Sequence, residues 1–121
     1  MKHCLVVDDS SVIRKVARRI FEGFDFAVAE AEDGAQALDA CRREMPDIIL
    51  LDWHLPAMEG VDVVASLRKL DQGRQPKVLF CVSEADVAQI AKALRAGADE
   101  YILKPFDREL VEAKLHEFGM L

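Results

Sequence analysis

No stretch of this 121-residue chain is a long apolar run. A helix that spans a bilayer needs ~20 consecutive apolar residues, so membrane insertion is not expected. No secretory leader is expected either. Met1-Lys2-His3-Cys4 runs straight into a strand-like segment with Asp8-Asp9 behind it, which is too short and too acidic for a signal peptide. A cytoplasmic location is therefore expected. Cys4, Cys41 and Cys81 are an odd set without metal-ligand spacing. They read as small buried hydrophobes in a reducing compartment, and no catalytic thiol is expected. Positive charge is in deficit, with 16 Lys and Arg against 22 Asp and Glu, a net charge of -6 and a pI near 5.0. Such a chain repels phosphate backbones, which argues against a general nucleic-acid binder. Repeats, linkers and low-complexity segments are absent, and one domain over residues 1–121 is expected, with no second domain.

What is present suits a folded domain: 51% of residues are apolar and 31% charged. His3 to Val7 is a short apolar strand ending in Asp8-Asp9. Ser10 and Ser11 are placed to cap a helix whose apolar positions are Ile13, Val16, Ala17 and Ile20, with Arg14, Lys15, Arg18 and Arg19 forming a solvated face. Gly23 ends it. Phe26 to Ala31 is a second strand. Asp33 with Gln36 resembles a capping box for a helix buried through Ala37, Leu38 and Cys41. Val61 to Leu70 is a third helix, and Val78 to Val82 a fourth strand. Ser83 with Asp86 can cap a helix that turns Val87, Ile90, Ala91 and Leu94 inward, and Gly97 is a plausible terminator. Tyr101 to Leu103 is a fifth strand, and Arg108 to Phe118 a last helix. Strands alternating with helices predict an α/β fold: a five-stranded parallel sheet with helices on both faces.

The central stretch is Ile48-Ile49-Leu50-Leu51-Asp52, four apolar residues and then a carboxylate, bounded by Pro46 and Pro56. A continuous apolar run fits a strand buried on both faces. It delivers Asp52 to the carboxyl edge, where ligands bind in open α/β sheets. Parallel strands bring Asp8 and Asp9, Asp52 and Lys104 to that same edge. Clustered carboxylates repel one another unless a cation neutralises them. Oxygen ligands without His or Cys favour a hard ion, Mg²⁺. A carboxylate beside Mg²⁺ and an ammonium can act as a nucleophile on phosphorus, which points to phosphoryl transfer onto Asp52.

The segments Val6-Val7-Asp8-Asp9-Ser10, Ile48 to Pro56, Gly60, Ala96-Gly97-Ala98 and Tyr101 to Phe106 resemble the receiver domain of two-component response regulators over essentially the whole chain. With no output domain expected, the chain resembles a single-domain regulator of the chemotaxis type. The resemblance implies the flavodoxin-like (βα)5 receiver fold with strand order 2-1-3-4-5, the family's known order. It implies Asp52 as phospho-acceptor from a histidine kinase or a histidine phosphotransfer protein. Asp9, Asp52 and the backbone carbonyl of His54 would bind Mg²⁺, with Asp8 acting partly through water. Lys104 would contact the phosphoryl group, and Tyr101 would be the rotating aromatic of an output face that meets a downstream protein target. A receiver of this kind catalyses its own phosphorylation and dephosphorylation without turning over a substrate as an enzyme does.

The chain departs from the family most consequentially at the switch position. The switch residue at the end of the fourth strand is normally Thr or Ser, and the family spacing places Val82 there. Valine has the shape of threonine and no donor. Ser83 is adjacent, but strand alternation points it elsewhere unless a one-residue shift lets it serve. Weakened coupling from Asp52 to Tyr101 is expected. His54 and Glu84 occupy the two positions that, in the family, modulate loss of the phosphoryl group to water; Glu59 replaces a more usual Asp, with little effect expected. Three rival readings remain: a phosphorelay shuttle, a phosphorylation-independent interaction module, and an Mg²⁺ phosphohydrolase. The last normally needs an acid two positions after the nucleophile, where His54 stands.

Overall fold

Every residue of Ile48–Asp52 is buried, and this strand lies at the centre of the sheet. A computed structural model describes residues 1–84 and 86–121. The elements run β1 His3–Val7, α1 Ser11–Gly23, β2 Ala27–Ala31, α2 Gly34–Arg43, β3 Ile48–Asp52, α3 Gly60–Arg68, β4 Lys77–Val82, α4 Val87–Ala96, β5 Glu100–Leu103 and α5 Arg108–Glu117. The sheet order is β2-β1-β3-β4-β5, with every pairing parallel. The expected α/β architecture is therefore the observed one.

Strand alternation divides the core in two. Leu5, Val7, Ile49, Leu51, Val78, Phe80 and Val82 pack beneath α2, α3 and α4. Cys4, Val6, Ile48, Leu50, Leu79, Cys81 and Ile102 pack against Ala17 and Phe21 of α1 and Val111 and Leu115 of α5. Each fully buried Leu, Ile or Phe side chain contributes about 1.5–3 kcal/mol. Because β1, β3 and β4 are covered on both sides, their sequences are unbroken apolar runs from Cys4, Ile48 and Val78 onward, and these runs stop abruptly at the carboxyl edge.

Helix phases differ from expectation in two places. Val16 of α1 is 42% exposed, and the buried line runs instead through Ala17 and Phe21. In α4, Val87 is 79% and Leu94 45% exposed; Ile90 and Ala91 are half-buried and Ala93 is the one fully buried residue. Apolar residues recur on nearly every side of that helix, so periodicity alone could not choose its phase. Its N-cap is Asp86, which accepts from the Ala88 and Gln89 backbone N–H groups. Ser83 is not the cap. At α2, Asp33 accepts from the Gln36 N–H as expected, while the Gln36 side chain reaches back to Glu32 N–H.

The cationic face of α1 is not simply solvated. Arg14 and Arg18 both donate to Glu30 on β2. Arg68 of α3 is a second structural arginine. It donates to the carbonyls of Gly73, Pro76 and Gly97 and to Asp99, joining the ends of three elements. Gly97 has φ +121°, and a Cβ there would lie 2.8 Å from Arg68 Cγ.

Candidate metal and phosphoryl-acceptor site

β1, β3 and β5 end at one edge and carry Asp8, Asp52 and Lys104 there. Asp8 and Asp52 are buried, Asp9 is exposed, and one carboxylate oxygen of each lies within 4.8 Å of the others. Lys104 Nζ donates to Asp8 Oδ2 at 2.7 Å and to Asp52 Oδ1 at 3.0 Å. Asp8 Oδ1 accepts from Ser10 N–H at 2.9 Å, and Ser10 in turn caps α1 through Ile13 N–H. The turn after β1 thus starts a helix and holds a carboxylate in place.

Burial pushes the Asp52 carboxyl above its ordinary range; the Lys104 hydrogen bond pulls it back and the nearby Asp8 charge pushes it up again. Burial alone would lower the Lys104 ammonium, but hydrogen bonds to Asp8 and Asp52 outweigh it, and the net shift is upward. Three carboxylates against one ammonium leave a formal excess of two negative charges. The donor set is all oxygen, partly buried and short of cations, which suits a hard divalent ion retaining some of its waters. Mg²⁺ fits the residues present.

Gly60 sets the width of the site. A Cβ there would lie 2.5 Å from the backbone oxygen of Asp52 and 2.8 Å from Phe80, so the chain after the site can close against β3 only without a side chain. Gly60 N–H donates to Trp53 O, and Trp53 N–H to Cys81 O. Cys81 pairs with Asp52 across β3 and β4, and burial raises its thiol to about 12, which makes it a packing residue. Cys4 and Cys41 are likewise free, buried thiols shifted upward by burial.

The remaining expected residues are spread around this centre. Val82 is buried on the α2–α4 side of the sheet, and its carbonyl accepts from Lys104 N–H at 2.8 Å. Ser83 and Glu84 follow the strand end and are exposed. His54 is exposed and lies with Nδ1 3.2 Å from Glu59 Oε1, a pairing the sequence reading of Glu59 missed. Tyr101 is half-buried on β5, with Lys114 Nζ 5.6 Å from its ring centre. Arg14 was also missed as a site neighbour: its Nη1 donates to the backbone carbonyl of Asp8 at 2.7 Å. An arginine one helical turn past a capping serine carries no sequence signal for that contact.

Residues 4–116 match the family model described as the response regulator receiver domain. The chain belongs to the response regulator receiver family. Its relatives include chemotaxis protein CheY-3 of Vibrio cholerae, 33% identical over 92% of this chain and 86% of that protein. They also include the transcriptional regulatory protein CseB of Streptomyces coelicolor, 37% identical over 93% of this chain and 47% of that one. The receiver therefore spans about half the length of some curated relatives and nearly all of others. Among solved structures, Vibrio cholerae CheY4 superposes with a TM-score of 0.92 at 27% identity, covering 97% of this chain and 98% of that one. The receiver domain of the sensor histidine kinase PA1611 from Pseudomonas aeruginosa superposes at 0.87 with 27% identity, covering 96% and 95%; it holds a magnesium ion in its active site cleft. Among the described residues of this receiver, no helix is long and apolar enough to cross a membrane.

Proposed function

We propose that Asp52 is the phospho-acceptor of this receiver, that Asp8, Asp9, Asp52 and the His54 backbone carbonyl bind Mg²⁺, and that Lys104 holds the incoming phosphoryl group. One observation carries the reading: the Lys104 ammonium bridges Asp8 and Asp52 beside Asp9, at the carboxyl edge of the sheet. An Asp52 carboxylate oxygen attacks phosphorus, an O–P bond forms, and the donor's N–P bond breaks. The donor histidine nitrogen leaves with the electron pair. Lys104 can exchange its carboxylate partner for a phosphoryl oxygen, which offsets charge there. Mg²⁺, when bound, supplies Lewis-acid neutralisation of the phosphoryl oxygens. The donor is a histidine kinase or a histidine phosphotransfer protein in the cytoplasm. No other enzyme is needed to form the acyl phosphate or to hydrolyse it, and exposed His54 and Glu84 stand where they can tune its loss to water.

The output is by protein contact. Exposed Val87 and Leu94 on α4, Leu103 on β5 and Leu110 on α5 supply apolar surface on the elements of the expected output face for a downstream target. Val82 supports a second reading, a module whose contacts depend little on phosphorylation, since its buried side chain has no donor for a phosphoryl oxygen.

Mass measurement after incubation with acetyl phosphate and Mg²⁺ tests the proposal. Wild type should gain one phosphoryl mass and Asp52→Asn none. Absence of that mass in wild type, with a cognate kinase failing too, overturns it. Rapid return of the group to a phosphotransfer histidine marks a shuttle, and sustained multiple turnover marks a hydrolase.

A further inference from the structure

We infer that Arg14 is a positioning residue for the divalent-cation site, because it fixes the peptide that joins Asp8 to Asp9. The inference rests on the reading of Asp8, Asp9 and Asp52 as that site. The carbonyl of Asp8 belongs to the Asp8–Asp9 peptide, so a hydrogen bond to it sets the plane from which both carboxylates project. Arg14 Nη1 makes that bond at 2.7 Å. The other restraints on Asp8 act on its N–H, which donates to Ala31 O, and on its side chain, held by Ser10 N–H and Lys104. Only Arg14 holds the carbonyl side among the described contacts. Asp9 is exposed and follows directly, so a turn of this peptide would swing it away from Asp52.

The arginine is itself held. Its Nε donates to Glu30 Oε1 at 2.9 Å, and Arg18 Nε takes the other oxygen of Glu30 at 2.8 Å. Glu32 Oε1 lies 3.6 Å from Arg14 Nη2. The Arg14 side chain is only 11% exposed. A planar head with several fixed donors can span a carboxylate on β2 and a carbonyl after β1 at once; a lysine ammonium is a single point and cannot. Glu30 thus aims Arg14, and Arg14 aims the metal-ligand turn, as outer partners orient ligands in other metal sites.

Mg²⁺ titration without phosphodonor, read by Trp53 fluorescence and by calorimetry, tests this. Arg14→Met should weaken Mg²⁺ binding about tenfold or more, and Arg14→Lys should weaken it in the same direction. Glu30→Gln should show a smaller loss. Arg18→Met, which touches Glu30 but not the Asp8 carbonyl, should stay within about twofold of wild type. With acetyl phosphate, the Arg14 variants should reach the wild-type phosphorylation rate at saturating Mg²⁺ but need more Mg²⁺ to reach half of it. If Arg14→Met does not fold, Arg14→Lys decides. Folded Arg14 variants that bind Mg²⁺ like wild type, or an equal loss in Arg18→Met, would overturn the inference while leaving the site reading intact. Wild type that binds no Mg²⁺ would overturn the site reading itself.

Discussion

Asp8 and Lys104 are 96 positions apart in the chain, yet their charged atoms are 2.7 Å apart in the fold. The same ammonium reaches Asp52, so one cation from β5 joins the ends of β1 and β3. Removing it isolates two buried carboxylates. Lys104→Met should lower stability by about 2 kcal/mol in Mg²⁺-free buffer, the scale of a hydrogen bond to a charged group. Added Mg²⁺ should restore much of the loss while phosphorylation stays slow. Urea unfolding with and without Mg²⁺, beside a phosphorylation time course, checks both parts.

Glu30 and Asp52 should bend the acid limb of the stability curve in opposite directions. The Arg18 hydrogen bond holds the Glu30 carboxyl below its ordinary range, with Arg14 adding to it against the effect of burial. Its stabilisation is present above the unfolded-state value and is lost as pH falls through the folded one. Glu30→Gln should therefore be less stable than wild type at neutral pH, with the gap closing as the solution is made acid. Asp52 is raised by burial, so the folded state holds its proton more tightly and the charged form at neutral pH is a burden. Asp52→Asn should be more stable than wild type in Mg²⁺-free buffer at neutral pH, and this gain should shrink as pH falls through the raised value. Denaturant midpoints across an acid series measure both; parallel curves for either variant would refute its half.

Val82→Thr places a hydroxyl at a buried strand end. In the unphosphorylated protein an unsatisfied hydroxyl should cost roughly 1–3 kcal/mol. After phosphorylation it gains an acceptor, and exchange protection or chemical shifts around Tyr101 and α4 should change more than in wild type. Equal changes in the two proteins would show that Val82 does not weaken the coupling.

Gly60→Ala forces a methyl group against the Asp52 carbonyl and Phe80. Overpacking of this kind costs typically about 1–3 kcal/mol, and the displaced backbone is that of Asp52, the proposed acceptor. Thermal unfolding should show the loss, and phosphorylation by acetyl phosphate should slow in parallel.

Arg68→Met should loosen the C-terminal end of α4, since the carbonyls of Gly97, Gly73 and Pro76 lose their donor. A loss of about 3 kcal/mol is expected from several unmade hydrogen bonds. Hydrogen exchange should quicken at Gly97 and Ala98 while β1 and β3 stay protected.

Much of this was open to reading in the chain, for a local physical reason. β1, β3 and β4 are buried on both faces, so Leu5-Val6-Val7, Ile48 to Leu51 and Val78 to Val82 are unbroken apolar runs that lead to Asp8, to Asp52 and to the strand end at Val82. Asp33 and Gly97 mark helix ends by short-range hydrogen bonds and backbone conformation. Parallel order then puts Asp8, Asp9, Asp52 and Lys104 at one edge. What only the tertiary structure decided depends on neighbours remote in the chain. α4 carries apolar residues nearly all round, and its packing, not its periodicity, exposed Val87 and Leu94. Arg14 and Arg18 look like solvated charges until β2 brings Glu30 between them. Arg68 looks like any arginine at a helix end until three carbonyls converge on it. Short-range patterns are written in adjacent residues; the partner of a long, flexible charged side chain is set only when the fold closes around it.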